Sequence, residues 1–222
     1  MANSEIDKKV LDAQHSHWED TFSRKPEMFG SEPSYSAKKV AELFRKNKLK
    51  KILELGGGHG RDAIYFAENG FHVYVLDFSN TCLNLIKQKA KQLKFFQNIT
   101  TSQHDVREVL PFEDESFDGC YSHMLYCMAL TTKELEFLSD EIRRVLKPGG
   151  LNIYTVRNTD DSHYRQGTHR GEDMYENQGF IVHFFNKEKI EHLAKGFDII
   201  NIERFEEGKL PRKLFFVILR KK

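Results

Sequence analysis

The chain has 222 residues, 39% of them hydrophobic and 30% charged, which is enough apolar material for one α/β domain with a large core. Its formal net charge of +1 argues against a nucleic-acid partner, because binders of polyanions usually carry a basic stripe. The three cysteines, Cys82, Cys120 and Cys127, have neither disulfide-framework nor zinc-site spacing and fit a reducing cytoplasm, and no apolar run reaches membrane-spanning length.

In chain order, Ile6 to Phe22 carries Val10, Leu11, Trp18 and Phe22 at roughly helical spacing, and Ala37 to Phe44 reads as a second helix packed in the core. After Lys50-Lys51, the apolar run Ile52-Leu53-Glu54-Leu55 predicts a buried strand. Gly56-Gly57-Gly58-His59-Gly60 follows as a turn that lets backbone approach a ligand, and Ala63 to Ala67 continues as a helix. A second apolar strand, Val73 to Leu76, ends in Asp77, an acid placed to accept hydrogen bonds from both hydroxyls of a ribose. The glycine spacing decides between nucleoside cofactors. A dinucleotide turn wants a small third residue where this chain has Arg61, which weakens the pyrophosphate reading.

Further along, Gln103-His104-Asp105-Val106 closes a strand that begins near Asn98. Leu110-Pro111-Phe112 through Phe117-Asp118-Gly119-Cys120-Tyr121-Ser122 leads into a fourth strand, and Glu141 to Leu151 is a helix end where Pro148 and Gly149-Gly150 force a reversal into a fifth. Glu54-x-Gly56-x-Gly58-x-Gly60 with these later strings, in this order, resembles the class I S-adenosylmethionine-dependent methyltransferases over about Leu49 to Val156. That resemblance implies a doubly wound, mostly parallel, seven-stranded Rossmann-like sheet with helices on both faces, and S-adenosyl-L-methionine as cofactor. It implies cofactor contacts from Glu54, Gly56, Gly58, Gly60, Asp77 and Phe78, an adenine contact from Asp105 with Val106, and Tyr121 beside the methyl group. Residues 1–48 then become an N-terminal helical lid over the cofactor, with a helix on the sheet edge anchored by Trp18 as the alternative.

The acceptor side follows from what remains. Ligands in open α/β sheets sit beyond the carboxyl ends of the strands, so Tyr121-Ser122-His123 belongs beside the acceptor. The Asp/Asn-Pro-Pro-aromatic string of amide-nitrogen methylation and the Pro-Cys pair of cytosine carbon-5 enzymes are both absent, and Cys127 in its apolar run reads as a small core residue. Residues 157–185 form a polar, His-rich insertion ending in Phe180-Ile181-Val182-His183-Phe184-Phe185, a strand whose histidine is more often structural than catalytic. Its other histidines, among them His163 and His169, are too unevenly spaced for a metal site. Residues 186–222 supply a final helix and strand pair. Arg157-Asn158, the insertion, and Glu206-Glu207-Gly208-Lys209-Leu210-Pro211-Arg212-Lys213 are similar to small-molecule methyltransferases of the tellurite-resistance type.

The expectation is methyl transfer to a small molecule, possibly a thiol or chalcogen compound, by a monomer or homodimer. Arg157 would attract an anionic acceptor, and His123 or His183 would serve as base if the acceptor needs one. A non-catalytic cofactor-binding regulator and a nicotinamide-dependent oxidoreductase stay open as alternatives.

Overall fold

The computed structural model describes residues 6–26, 28–208 and 212–222. The apolar run of the first strand, β1 (Lys51–Leu55), is buried on both faces and lies at the centre of the sheet, as a strand with helices above and below must. It pairs in parallel with β2 (His72–Asp77) on one side and β4 (Phe117–His123) on the other, and β2 pairs in parallel with β3 (Ile99–Gln103). Beyond β4 lies β5 (Leu146–Arg157), also parallel, then β10 (Arg212–Lys221), antiparallel to both β5 and β9 (Phe197–Glu207). The seven-stranded order is β3-β2-β1-β4-β5-β10-β9. The order reverses between β1 and β4, so a crevice opens there beyond the carboxyl ends of the strands.

Side-chain alternation splits the core into two layers. Ile52 of β1 and Tyr121 of β4 face α2 (Tyr35–Lys46), α3 (Arg61–Glu68) and α4 (Asn80–Gln92), where Ala37, Phe44, Phe66 and Ile86 are buried. Leu53 and Cys120 face the opposite layer, with Leu138 and Ile142 of α5 (Thr132–Val145) and Ile190 of α6 (Lys187–Leu193). A capping box between Thr131 and Glu134 starts α5 after the long β4–α5 connection. The reversal expected at Pro148 is sharper than a loop: β5 begins directly at Leu146, with Gly149 at φ 76°.

The segment 157–185 is more ordered than its polar composition suggested. It forms a three-stranded antiparallel sheet of β6 (Thr168–His169), β7 (Met174–Asn177) and β8 (Phe180–His183). Against it packs α1 (Lys8–Arg24), through a small cluster of Leu11, Ala129, Met174 and Ile181. Of the Glu206–Lys213 run, residues 209–211 lie outside the described residues. No helix among the described residues is long and apolar enough to cross a membrane.

Candidate functional site

A cavity of about 390 Å³ opens at the reversal point between β1 and β4, within the size range of small-molecule sites. One wall comes from the ends of β1, β2 and β3. There the turn after β1 is held against the second strand by Gly56 N–H donating to the Leu76 carbonyl (2.8 Å) and by Gly58 N–H donating to Asp77 Oδ2 (2.9 Å). Ser79 N–H donates to the other Asp77 oxygen at 2.9 Å. A carboxylate offers about four lone-pair positions, so these N–H groups do not saturate Asp77, which lines the cavity. Gly58 has φ 51°, and a Cβ placed on it would meet nothing within 4 Å. Its open side faces the cavity that it lines.

This wall is acidic and buried. Glu54 is 3% exposed and its Oε2 has no hydrogen-bond partner among the described residues. Burial, with Asp62 and Asp77 nearby, pushes its pKa well above the ordinary carboxylate range. Burial likewise raises Asp77 to about 6, against the opposing pull of the Ser79 and Gly58 N–H groups. A buried carboxylate oxygen without a partner, beside two more acids, suits a ligand that brings positive charge.

Comparison with known proteins agrees with this arrangement. Residues 52–150 match the family model described as a methyltransferase domain. That stretch, just under half of the chain, is similar to S-adenosylmethionine-dependent methyltransferase domains. The chain is 35% identical over 127 residues to phosphoethanolamine N-methyltransferase 1 of Triticum aestivum, covering 57% of this chain and 22% of that protein. It is 35% identical over 100 residues to a demethylmenaquinone methyltransferase of Tropheryma whipplei, covering 45% of this chain and 38% of that one. The chain thus spans well under half the length of these relatives. Among solved structures, the 1,6-didemethyltoxoflavin-N1-methyltransferase of Burkholderia thailandensis, with bound 1,6-didemethyltoxoflavin and S-adenosylhomocysteine, aligns with TM-score 0.78 at 15% identity over 100% of this chain and 93% of that one. TehB from Haemophilus influenzae aligns with TM-score 0.67 at 18% identity, covering 92% of this chain and 67% of its own.

S-adenosylmethionine, the cofactor of the methyltransferases that this stretch resembles, carries a sulfonium and an ammonium, and the acidic wall of Glu54, Asp62 and Asp77 matches that charge. Further along, Phe78, Asp105 and Val106 also line the cavity, with the Asp105 carboxylate gripped by Arg107 through Nε at 3.0 Å to each oxygen. Helix α1 closes over this end. His15 stacks on Phe78 with ring centroids 4.4 Å apart and 8° between planes, and Glu19 accepts from Thr81 N–H and hydroxyl at the start of α4.

Four of the residues singled out from the sequence sit differently from expectation. Gly60 does not line the cavity; it begins α3 at φ 80°, and a Cβ there would meet Ile86 Cγ1 at 2.4 Å, so its smallness serves helix packing. Tyr121 is fully buried below the cavity, its hydroxyl donating to Asp62 Oδ2 (3.1 Å) and sharing hydrogen bonds with Ser34 and Ser36. It therefore holds Asp62 and the start of α2 in place. His183 is also fully buried, away from the cavity: the Lys189 ammonium donates to its Nε2 at 2.5 Å, and its Nδ1 donates to the Leu130 carbonyl at 2.7 Å. Burial, reinforced by Lys189, lowers its pKa to about 4 and keeps it neutral. Arg157 lines the cavity, yet its guanidinium is committed to the fully buried Asp161 through two hydrogen bonds of 3.1 and 2.5 Å.

His123 lines the cavity, and both ring nitrogens have protein atoms close by. Nδ1 lies 3.0 Å from Ser36 Oγ and 2.9 Å from Thr155 Oγ1; Nε2, itself buried, is 3.0 Å from Glu207 Oε2, at ion-pair distance but out of hydrogen-bond alignment. Sequence reading missed Ser36, Thr155 and Glu207 as neighbours of His123, since they come from three separate elements with no shared motif. Much of the remaining wall is apolar or aromatic, with Trp18 and Phe22 from α1, Met124 and Met128 after β4, and Phe180, Val182 and Phe184 from the insertion, while Gln14, His163, Asn177, Gln178 and Arg212 add polar groups.

Proposed function

We propose that this chain transfers the methyl group of S-adenosylmethionine to a small soft nucleophile, a thiol or chalcogen compound, held against the aromatic wall. The observation that carries this reading is the withdrawal of both expected bases. His183 is buried outside the cavity lining, and His123 has Nδ1 engaged by the Ser36 and Thr155 hydroxyls and Nε2 buried 3.0 Å from Glu207 Oε2. A hydroxyl or amine nucleophile needs a group to take its proton, whereas a thiolate arrives without one. The bound cofactor supplies an electrophilic methyl group on a sulfonium. For their part, the residues of the chain position the two partners about 3 Å apart and in line, and exclude water under α1.

A ring nitrogen of a flat heterocycle is the second reading, favoured by the aromatic wall and by the likeness in fold, over the whole chain, to the 1,6-didemethyltoxoflavin-N1-methyltransferase. A screen with radiolabelled-methyl cofactor across thiols, chalcogen oxyanions, amines, phenols and heterocycles separates the two. Labelled thioethers or methylated chalcogen products support the first reading, and label confined to ring nitrogens supports the second. No transfer to any class by a chain that binds S-adenosylhomocysteine points to a non-catalytic cofactor-binding protein.

A further inference from the structure

The acceptor half of the cavity has a chemical character of its own. Trp18 and Phe180 meet with centroids 4.7 Å apart, and Val182 and Phe184 extend the same wall. Met124 and Met128, whose thioethers adapt to the edges of flat rings, stand on the side nearest β4. Gln14, His163, Asn177 and Gln178 also line the cavity, but against the rings themselves a hydrated oxyanion or a short polar thiol loses its water shell and gains no hydrogen bond. A flat apolar body gains burial and ring stacking.

One charged group on this side is differently placed from the rest. Arg157 is neutralised by Asp161, but Arg212 lines the cavity with no ion pair among the described residues. It lies two residues from Leu214, which pairs with Arg157 across β10 and β5, so the two guanidiniums come from neighbouring strands. A cation without an ion-pair partner among the described residues, beside an aromatic wall, favours a guest that is apolar in body and negative at one point.

We propose that the acceptor is an aromatic thiol, bound as its thiolate with the ring against Trp18 and Phe180 and the charge within reach of Arg212. This inference rests on the soft-nucleophile reading above. An aromatic ring spreads the negative charge, so such a thiol ionises more readily than an aliphatic one and reaches the site with its proton already lost to solvent. In the transfer, a lone pair of the thiolate forms the new sulfur–carbon bond. The old methyl–sulfonium bond breaks with its electron pair remaining on the cofactor sulfur, and both products leave as neutral thioethers at their sulfur atoms. No protein base takes part.

Trp18 is the chain's single tryptophan, so its fluorescence reports acceptor binding apart from turnover. Thiophenol titrated into the full chain loaded with S-adenosylhomocysteine is expected to give saturable quenching, and 2-mercaptoethanol or selenite at equal concentration none. In radiolabelled methyl transfer, kcat/KM for thiophenol should exceed that for either by at least tenfold. Trp18→Ala should raise the KM for thiophenol about tenfold with S-adenosylhomocysteine affinity within about twofold of the parent, and Trp18→Phe should restore most of the loss. Arg212→Ala should raise the same KM, and Arg212→Lys should recover part of it. Equal or better transfer to 2-mercaptoethanol or selenite overturns the inference and leaves the soft-nucleophile reading standing. Transfer to phenol or aniline in preference to thiophenol overturns that reading as well. Unchanged KM in a folded Trp18→Ala chain removes the aromatic wall from acceptor binding.

Discussion

Asp77 connects the cofactor wall to a measurable proton. Its carboxyl titrates near pH 6 because burial disfavours the charge more than the Gly58 and Ser79 N–H groups support it. If two ribose hydroxyls donate to it, the bound state favours the carboxylate. Affinity for S-adenosylhomocysteine is then full above pH 6 and falls as pH drops below it, by up to about tenfold per pH unit. Calorimetric titration from pH 8 to pH 5 checks this, and Asp77→Ala should weaken binding at pH 8 by at least tenfold, since each hydrogen bond to a charged acceptor is worth roughly 1.5–3 kcal/mol. A flat pH profile together with a tight Asp77→Ala chain would remove Asp77 from the site. The glycines make a contrasting pair. Gly58→Val should no longer bind S-adenosylhomocysteine, because its side chain enters the cavity, and should melt somewhat lower because φ 51° strains a branched residue. Gly60→Val should unfold at a lower temperature still, since its side chain collides with Ile86. Thermal melts with and without ligand tell these outcomes apart.

At the scale of elements, the sheet of β6, β7 and β8 is fastened to the rest of the molecule by groups that pH can loosen. His183 faces the Leu130 carbonyl, Lys189, Glu172 and Asp173, and its pKa falls from an ordinary 6.5 to about 4. With the folded value below the unfolded one, its contribution to stability is complete above about pH 6.5 and is lost as pH falls toward 4, on the order of 3 kcal/mol in all. The difference in urea unfolding between the parent and His183→Gln should therefore shrink from pH 7 to pH 4.5; a constant difference would contradict the buried neutral imidazole. The chain of β1, α3 and β2 was legible from sequence because each strand is an uninterrupted apolar run closed by glycines or an acid, signals that survive without tertiary context. The insertion was not legible in the same way. Its three short strands are stabilised by contacts with α1, such as Gln14 bridging the Gly179 carbonyl and the Ile181 N–H, and pairing of that kind leaves no local periodicity.

For the molecule as a whole, the cofactor half could be read residue by residue while the acceptor half could not. Asp77 and Gly58 act through backbone geometry fixed within a short stretch of chain. The state of His123 depends on Ser36 from α2, Thr155 from β5 and Glu207 from β9, which only the folded sheet brings together. His183 and Arg157 likewise looked available in sequence because their partners Lys189, Leu130 and Asp161 carry no motif. The proposed reaction is methyl transfer positioned by an acidic cofactor wall and an aromatic acceptor wall, with no protein base. The most direct test is the pH dependence of kcat for methyl transfer to thiophenol in the parent chain and in His123→Gln, with S-adenosylhomocysteine affinity measured alongside. The account predicts superimposable profiles and rates within about threefold of each other; a general base contributes roughly 10²–10⁴-fold, so a fall of that size in His123→Gln at unchanged cofactor affinity would contradict it.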